Sequence, residues 1–356
     1  MKCRHCKKNL NIKFLDLANA PPSNSYLKKE DLKKPEITYP LRVMVCKNCW
    51  LVQTEDYANA EELFDDEYAY FSSTSSSWLN HASNYCEIIT QKLKLSKDSF
   101  VVELASNDGY LLKNFVKLGV PCLGIEPTKK TAQVSRDLGV EVKEVFFSKN
   151  VALQLVSEGR KADLIIGNNV YAHVPDINDF TEGVAVLLKS NGVVTFEFPH
   201  LMELINKIQF DTIYHEHFSY LSLISIKSIF SKFGLKIFDV DQLGTHGGSL
   251  RVYGCLQHAN HKISNNVEKI LNDEIEAGLM NKDIYENFQI KANNIKDTFV
   301  QFLLNAKYDK KVVAGYGAAA KGNTLMNYAG IKRDMISFVC DAAVSKIGKY
   351  LPGSHI

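Results

Sequence analysis

Two short cysteine pairs near the amino terminus constrain this chain more than any other feature. Cys3 and Cys6 form one C-x-x-C pair, and Cys46 and Cys49 form the second. Two pairs at this spacing can bring four thiolates around one tetrahedral Zn²⁺, which leaves no open position for water or substrate. The segment that spans the two pairs has only about 50 residues and cannot bury a sufficient hydrophobic core, so the zinc ion would stabilise its fold. The spacing therefore predicts a structural zinc site with these four ligands.

The other candidate metal ligands are weaker. His5 lies inside the first pair and could replace one cysteine. Four further cysteines stand singly, mostly among apolar residues: Cys86, Cys122, Cys255 and Cys340. Isolated cysteines in such surroundings are typically buried thiols, and we expect these four to be structural.

Length and charge exclude several classes of protein. At 356 residues the chain exceeds one core of roughly 150 residues, which predicts two or three domains. Its 42 basic and 40 acidic residues leave a formal charge of +2, which is no electrostatic footprint for nucleic acid or an anionic membrane. No apolar run approaches the roughly 18 residues that span a bilayer, and the first residues are unlike a signal peptide. We therefore expect a cytoplasmic protein with neither nucleic acid nor membrane as a partner.

Strand and helix patterns alternate from about residue 79 onward. Strands are predicted at residues 100–104, 121–126, 162–167 and 192–198. Their apolar runs are nearly continuous, which is typical of parallel strands buried on both faces with helices between them. The pattern predicts a doubly wound α/β domain.

The carboxyl-terminal part has a different composition. Residues 262–308 are polar and free of proline, which predicts one or two amphipathic helices. A second α/β unit starts at residues 311–315, and residues 338–341 form its next strand. Two strands cannot bury the faces of a sheet alone, so we expect this last unit to be incomplete or to pack on something further.

Polar residues follow three of the predicted strands, at the edge where open α/β sheets bind ligands. Glu103 ends the first strand, Glu126 ends the second where a carboxylate can accept two ribose hydroxyls, and Asn168 ends the third. The candidate nucleoside-binding residues are Glu103, Ser106, Asn107, Asp108, Gly109, Glu126, Asn168 and Asn169. Ala105 stands where such loops often have glycine, and its methyl group is tolerated if its φ stays negative. The alternative is a structural turn that Asp108 caps.

Several motifs in one order resemble a known family, the S-adenosylmethionine-dependent C-methyltransferases of nucleotide-deoxysugar biosynthesis (the NDP-hexose 3-C-methyltransferase type). Besides the cysteine pairs, they lie at residues 39–41, 51–53, 103–109, 169–176, 197–200, 213–220, 247–251 and 315–323. The resemblance covers nearly the whole chain. It implies a zinc-binding domain (1–65), a central Rossmann-like methyltransferase domain (66–245), and an incomplete carboxyl-terminal helical and α/β substrate-binding domain (246–356).

Methylation of carbon requires a carbanion equivalent, which a 4-keto sugar provides when the carbon beside its ketone loses a proton. The enzyme must then supply a base and a donor to the enolate oxygen. His217 can take a proton, since histidine has an ordinary pKa near 6.5. Tyr214 can donate to the oxyanion, and Glu216 can orient the imidazole or bind a sugar hydroxyl.

The resemblance implies an active site made of Tyr214, Glu216, His217 and His173, together with a tyrosine at the junction, either Tyr68 or Tyr70. The alternatives for the histidine-rich segment are a metal site and a structural polar cluster. His173 could equally be a loop histidine.

Substrate-binding residues are predicted in two further places. His246 and Arg251 flank a Gly-Gly pair where backbone could approach a diphosphate, although a strand bend explains the glycines equally well. The full candidate set is His200, His246, Arg251, Gly315, Gly317, Lys321 and Asn323. The expected substrate is a dTDP- or GDP-linked keto sugar, and the expected state is a monomer or weak homodimer.

The rival hypothesis is an NAD(P)-dependent oxidoreductase or epimerase acting on a nucleotide sugar. Residues 312–320 match G-x-G-x-x-A after a strand, and Asp341 follows at the end of the next strand, which is a dinucleotide-binding pattern. A non-catalytic nucleotide-sugar binder is a second rival, which would not need the segment at 214–217.

Overall fold

The computed structural model describes residues 1–57 and 71–356. Its strands are β1 (Ile12–Ala20), β2 (Tyr39–Val45), β3 (Val52–Thr54), β4 (Val101–Leu104), β5 (Cys122–Ile125), β6 (Glu141–Lys143), β7 (Ala162–Asn168), β8 (Leu188–Pro199), β9 (Ser219–Tyr220), β10 (Leu235–Leu243), β11 (Ser249–Leu256), β12 (Gly315–Tyr316) and β13 (Val339–Cys340). Its helices are α1 (Ser76–Leu93), α2 (Leu112–Lys117), α3 (Lys129–Asp137), α4 (Lys149–Ser157), α5 (Ile177–Leu187), α6 (Leu201–Asn206), α7 (Leu223–Lys232), α8 (Asn265–Glu276), α9 (Lys282–Glu286), α10 (Phe288–Tyr308) and α11 (Ala320–Tyr328).

The described chain divides into two compact units that interleave along the sequence. The first unit combines residues 1–57, Leu201–Tyr220 and Glu276–Ile356, and the second combines residues 71–200 and 221–275. The units interleave because β9 pairs with β3 in the first unit, while β10 and β11, on either side of the predicted domain boundary at 245, pair antiparallel in the second. The three consecutive domains stay a prediction from sequence.

The second unit contains a seven-stranded sheet, which we call the second sheet. Its strand order is β10-β11-β8-β7-β4-β5-β6, with the five strands from β8 to β6 parallel and β11 antiparallel to both of its neighbours. The predicted α/β fold class is confirmed, and the four predicted strands correspond to β4, β5, β7 and β8. Because β7, β4 and β5 are neighbours, their carboxyl ends lie side by side.

Helix α1 packs on this sheet through one face. Ser75 caps its amino terminus by accepting a hydrogen bond from the Trp78 amide. Its buried residues Ala82, Tyr85, Cys86 and Ile89 follow the helical spacing of three and four. They belong to a core that includes residues of β4, β7 and β8. Burial of a side chain such as that of Ile89 contributes about 1.5–3 kcal/mol.

The first unit contains a four-stranded sheet of order β1-β2-β3-β9, which we call the first sheet, and all of its pairings are antiparallel. Residues 46–51 form the turn between β2 and β3, in which the Cys46 amide donates to the Leu51 carbonyl at 3.0 Å. The second cysteine pair therefore lies in the hairpin turn. The sequence predicted the zinc site but not the antiparallel sheet to which this hairpin belongs.

The carboxyl-terminal part of the chain is partly as predicted. Residues 262–308 form three helices, α8, α9 and α10, where one or two were expected, because Asn281 starts a new helix by capping α9. Strands β12 and β13 pair in parallel, and α11 lies between them in sequence, which is the expected second α/β unit. Within residues 1–57 and 71–356, no helix combines the length and apolar character that crossing a membrane requires.

Three residues in loops that follow strands of the second sheet have a left-handed backbone conformation. Ala105 has φ +56°, Asn107 has φ +50° and Asn169 has φ +53°. The condition for tolerating the Ala105 methyl group, a negative φ, is therefore not met. The left-handed conformation costs an alanine about 1 kcal/mol, because its methyl group approaches the backbone. The loop after β4 therefore keeps its shape against a local cost.

We expect Ala105→Gly to stabilise the protein by up to about 1 kcal/mol, since glycine adopts a positive φ without this cost. For a domain of this size that corresponds to a melting temperature about 2–4 °C higher in thermal unfolding. The matched control is Ala82→Gly inside α1, which should destabilise by about 1 kcal/mol. A lower melting temperature for Ala105→Gly would contradict the strain assignment.

Candidate active site

The four predicted zinc ligands meet in the first unit. The sulfur atoms of Cys3, Cys6, Cys46 and Cys49 lie within 4.8 Å of one another, with Cys3 and Cys49 at 3.6 Å and Cys6 and Cys46 at 3.4 Å. A tetrahedral zinc ion with Zn–S bonds of about 2.3 Å needs sulfurs about 3.8 Å apart. Among the described residues, this is the one group of three or more cysteine, histidine or carboxylate side chains placed to hold a metal. The residues therefore fit a zinc ion.

Hydrogen bonds favour the thiolate form at one of the four ligands, Cys3. Hydrogen bonds from Cys46, Cys49 and Gln53 lower the pKa of the Cys3 thiol, against the effect of burial. The Gln53 side chain is fully buried and its Nε2 donates to Cys3 Sγ at 3.3 Å. His5 is also buried but is not part of the sulfur cluster.

The four single cysteines divide by burial. Cys86 and Cys255 are buried, Cys122 is partly buried and Cys340 is exposed. Burial raises the pKa of the Cys255 thiol to about 11, so this thiol stays protonated. The expectation of a buried thiol is wrong for Cys340, because β13 belongs to a sheet of only two strands.

The predicted nucleoside-binding residues gather at the carboxyl ends of β4, β5 and β7. Glu103, Ser106 and Asp108 are almost fully buried at the end of β4. Burial, and then the charge of Asp108, raises the pKa of Glu103 well above its usual range. The free protein therefore favours the neutral form of this carboxyl group.

Glu126 has a different partner from the one expected. Its Oε2 accepts from the Asn107 amide at 2.9 Å, and its Oε1 accepts from the Thr128 amide at 3.0 Å and from the Thr128 hydroxyl. The carboxylate thus connects the loop after β4 to the loop after β5. A carboxylate has about four acceptor positions, which leaves capacity for a further donor.

Several buried polar atoms at these strand ends suit a polar ligand. Ser106 Oγ, Asp108 Oδ1 and both polar side-chain atoms of Asn168 have no hydrogen-bond partner within residues 1–57 and 71–356. Leaving such an atom unsatisfied costs about 1–3 kcal/mol, and a bound ligand can supply the missing partner. This arrangement fits S-adenosylmethionine, which carries amino, carboxylate, ribose and adenine groups.

Asn169 and His173 extend this edge. Asn169 Nδ2 lies 3.0 Å from Nε2 of His246, which is exposed and has φ +53°. His173 is half-buried in the 3-10 turn Tyr171–His173 that follows β7. Both histidines belong to the second unit.

Arg251 and His200 each contact a buried carboxylate. Arg251 is buried, and its Nη2 donates to Glu197 Oε2 at 2.6 Å, directly across the β8–β11 pairing. His200 Nε2 lies 2.7 Å from Oε1 of the fully buried Glu274, which also accepts two amides at the start of α7. These contacts fix both side chains, and their role in substrate binding stays a prediction.

Sequence analysis missed a group around Glu197. His81 Nε2 lies 2.9 Å from both Glu197 oxygens, and the Trp78 ring stacks on the His81 ring at 4.9 Å. Burial raises the pKa of Glu197, but the hydrogen bond from His81 and the charge of Arg251 outweigh it and lower the net value. Trp78 and His81 are three residues apart on α1, so they share a face. Only Glu197 gave a signal, as the acid at the end of a predicted strand.

Tyr214 and His217 form a hydrogen-bonded pair in the first unit. The Tyr214 hydroxyl lies 3.0 Å from His217 Nε2, and His217 Nδ1 lies 3.0 Å from the Thr212 carbonyl. A carbonyl oxygen only accepts, so Nδ1 carries the hydrogen and Nε2 of the neutral ring accepts from Tyr214. His217 is buried and Tyr214 is the more exposed member.

The neighbours of this pair point to separate partners. Both oxygens of the buried Glu216 accept from Asn24 Nδ2, at 2.7 and 2.9 Å. His215 packs edge-on against the Tyr39 ring, and burial lowers its pKa. No metal-ligand cluster forms at this segment within the described ranges, which leaves the metal alternative without support. Tyr68 and Tyr70 lie outside the described residues.

The predicted phosphate-binding loop at residues 315–323 is partly internal. Asn323 is fully buried, and its Nδ2 donates to the Ser23 carbonyl at 2.7 Å, while its role in substrate binding stays a prediction. Gly315 lies in β12, Gly317 is exposed with φ +94°, and Lys321 is half-buried.

Asp341, the acid that completed the dinucleotide-binding pattern, supports this loop. Its Oδ2 accepts from the Ala318 amide at 2.7 Å, and its Oδ1 accepts from the Ala343 amide at 2.8 Å. Burial raises the pKa of Asp341, but these amides and Lys346 lower the net value. The oxidoreductase hypothesis therefore rests on the loop pattern alone.

Three family models match the chain in succession. They are described as “Putative zinc binding domain” over residues 3–64, “Methyltransferase domain” over residues 78–240 and “C-methyltransferase C-terminal domain” over residues 244–356. The last match covers the loop at residues 315–323, so the comparisons give the oxidoreductase hypothesis no support.

Individual proteins are similar to all or part of this chain. The C-methyltransferase NovU of Streptomyces niveus is 33% identical over 355 residues, which is 100% of this chain and 84% of that protein. A ubiquinone biosynthesis O-methyltransferase of Bartonella quintana is 26% identical over 100 residues, 26% of this chain and 38% of that protein. Among solved structures, an S-adenosylmethionine-dependent methyltransferase from Clostridium acetobutylicum has 13% identity and a TM-score of 0.41, covering 50% of this chain and 92% of that one. The chain belongs to the S-adenosylmethionine-dependent C-methyltransferases that carry an amino-terminal zinc-binding domain.

Proposed function

We propose that this C-methyltransferase acts on a nucleotide-linked 4-keto-deoxysugar and methylates a carbon next to the ketone. The observation that carries the proposal is the Tyr214–His217 pair, in which the Thr212 carbonyl fixes the tautomer and leaves His217 Nε2 as a proton acceptor. A C-methyltransferase needs a base wherever its carbon nucleophile must be generated from a C–H bond. A ketone makes the neighbouring C–H acidic enough for such a base.

The pair can act as a proton relay. The more exposed Tyr214 hydroxyl takes the proton from the sugar carbon as its own proton moves to His217 Nε2, and the electron pair of the C–H bond becomes the enolate. The resulting imidazolium keeps its Nδ1–H on the Thr212 carbonyl. S-Adenosylmethionine supplies the electrophilic methyl group on its sulfonium sulfur. The ketone is restored when the carbon gains the methyl group, and His217 then returns its proton through Tyr214 to water.

Other residues are assigned to binding. Glu216 is held by Asn24, and its carboxylate is the proposed acceptor for a sugar hydroxyl. His173 and the tyrosine at position 68 or 70 stay as proposed active-site residues. The strand-end residues from Glu103 to Asn169 are the proposed cofactor contacts. Gly315, Gly317 and Lys321 are the proposed contacts to the dTDP or GDP moiety, together with the exposed His246.

The direct test is incubation with S-adenosylmethionine and candidate dTDP- and GDP-4-keto-deoxysugars. We expect mass spectrometry to show a product that has gained one methyl group in place of one hydrogen on carbon. The matched control is each sugar with its ketone reduced to a hydroxyl group, which cannot form the enolate and should not react. Methylation of the reduced sugars, or methylation on oxygen, would refute the enolate route.

Removal of either member of the relay should abolish proton abstraction while the cofactor still binds. For Tyr214→Phe and His217→Asn we expect exchange of the substrate proton with solvent deuterium, measured with S-adenosylhomocysteine present, to slow by about 10²–10⁴-fold. Tyr57→Phe removes the hydroxyl of an exposed tyrosine in the same unit and should exchange at the normal rate. Normal exchange in both relay variants would exclude the pair as the base.

The raised pKa of Glu103 predicts a pH-dependent stability. The folded state keeps a proton that the unfolded state loses above its ordinary pKa, so this residue contributes less stability as pH rises from about 4.5 through the folded-state value. In cofactor-free protein, the melting temperature of Glu103→Gln relative to wild type should therefore increase with pH. Saturating S-adenosylmethionine should reduce this difference if Glu103 contacts the cofactor. A difference that does not change with pH would contradict the burial effect.

A further inference from the structure

We infer that Arg4, in the first cysteine pair, is a positioning residue for the Tyr214–His217 pair. The inference rests on the proposed function of that pair. It gives the zinc-binding region a role in catalysis although four thiolates leave the metal closed to substrate.

The segment that carries the pair is held at the end of the first sheet. Strand β9 begins two residues after His217, and β3 is its one strand neighbour in that sheet. The Thr54 hydroxyl donates to the His217 carbonyl at 3.1 Å, and the Thr54 amide donates to the Phe218 carbonyl at 3.2 Å. Because β9 has only two residues, a small number of contacts from β3 and its surroundings fix the backbone at His217.

Arg4 contacts both β3 and the segment that carries His217. Its amide donates to Gln53 Oε1 at 2.8 Å, and its Nη2 donates to the Thr54 carbonyl at 3.0 Å and to Asp56 Oδ1 at 2.8 Å. Its guanidinium lies over the Phe218 ring, 5.4 Å from the centroid, and its side chain is only 5% exposed. The buried guanidinium of Arg4 therefore contacts β3, whose Thr54 binds the His217 carbonyl, and also Phe218, the residue that follows His217.

The zinc ligands fix the origin of this side chain. Arg4 lies between Cys3 and Cys6, so the metal sets the course of its backbone, and Gln53 hydrogen bonds to both Arg4 and Cys3 Sγ. A rigid guanidinium, with planar donors and a face that stacks on aromatic rings, suits such a bridge better than a flexible ammonium. Misplacement of a catalytic group by about 1 Å can cost about 10²-fold in rate, which is the scale of effect available to this residue.

The test compares Arg4→Met with Arg42→Met in zinc-loaded full-length protein. Methionine keeps an apolar side chain on Phe218 but removes the charge and donors. Arg42 lies on β2 of the same sheet, is 42% exposed and pairs with Asp16 and Glu55, so it is a matched control. For Arg4→Met we expect one zinc per chain, a KM for S-adenosylmethionine unchanged, and kcat lower by about 10- to 100-fold. Arg42→Met should behave as wild type.

Hydrogen–deuterium exchange supplies a readout that needs no substrate. In Arg4→Met the peptide covering residues 213–220 should exchange faster, while peptides of the second unit should be unchanged. Loss of the proposed sugar activity in wild type would refute the proposed function but leave this exchange result intact. Wild-type exchange at residues 213–220 together with wild-type kcat would overturn the role of Arg4.

A second variant covers the case in which Arg4→Met loses zinc or unfolds. Phe218→Leu removes the ring beneath the guanidinium without changing the cysteine pair. We expect it to retain zinc, to raise exchange at residues 213–220 and to lower kcat about 10-fold. Normal kcat and normal exchange in this variant would equally overturn the inference.

Discussion

The convergence of four sulfur atoms is the contact on which the first unit depends. It joins the turn at Cys3–Cys6 to the hairpin turn between β2 and β3, two parts of the chain that lie about 40 residues apart in the sequence. Four thiolates without a metal ion would repel one another. A bound zinc ion would offset this repulsion and cross-link the two turns. Strand β3 begins three residues after Cys49 and pairs with β9, which follows His217. In the proposed mechanism, this connection through β3 links the zinc site to the Tyr214–His217 pair.

Carboxylates in this protein repeatedly support backbone. Glu126 and Asp341 each follow a strand, and each accepts one amide from the loop after the preceding strand and one from the loop after its own strand. Glu274 caps α7 in the same way. An acid at a strand end is often assigned to a ribose. Glu126 instead accepts a hydrogen bond from the loop after β4, in which Ala105 and Asn107 have a left-handed conformation. Ligand binding at Glu126 would add to this role.

Much of the fold could be predicted from sequence because the signals were local. The C-x-x-C spacing predicted the zinc ligands, and runs of apolar residues predicted β4, β5, β7 and β8. Partners of buried charges could not be predicted, since Arg251 faces Glu197 only once β11 is known to pair with β8. His81 had no local pattern, and the two-residue β9 is too short to show a period. The φ of Ala105 is set by the surrounding loops, which outweigh its own preference.

The interleaving of the two units has a consequence for biosynthesis. The first sheet lacks its last strand until the ribosome has passed residue 220, so the amino-terminal segment emerges long before its own fold can be completed. Zinc capture by the early cysteines can close the β2–β3 hairpin during this interval and protect its unpaired edge from other nascent chains.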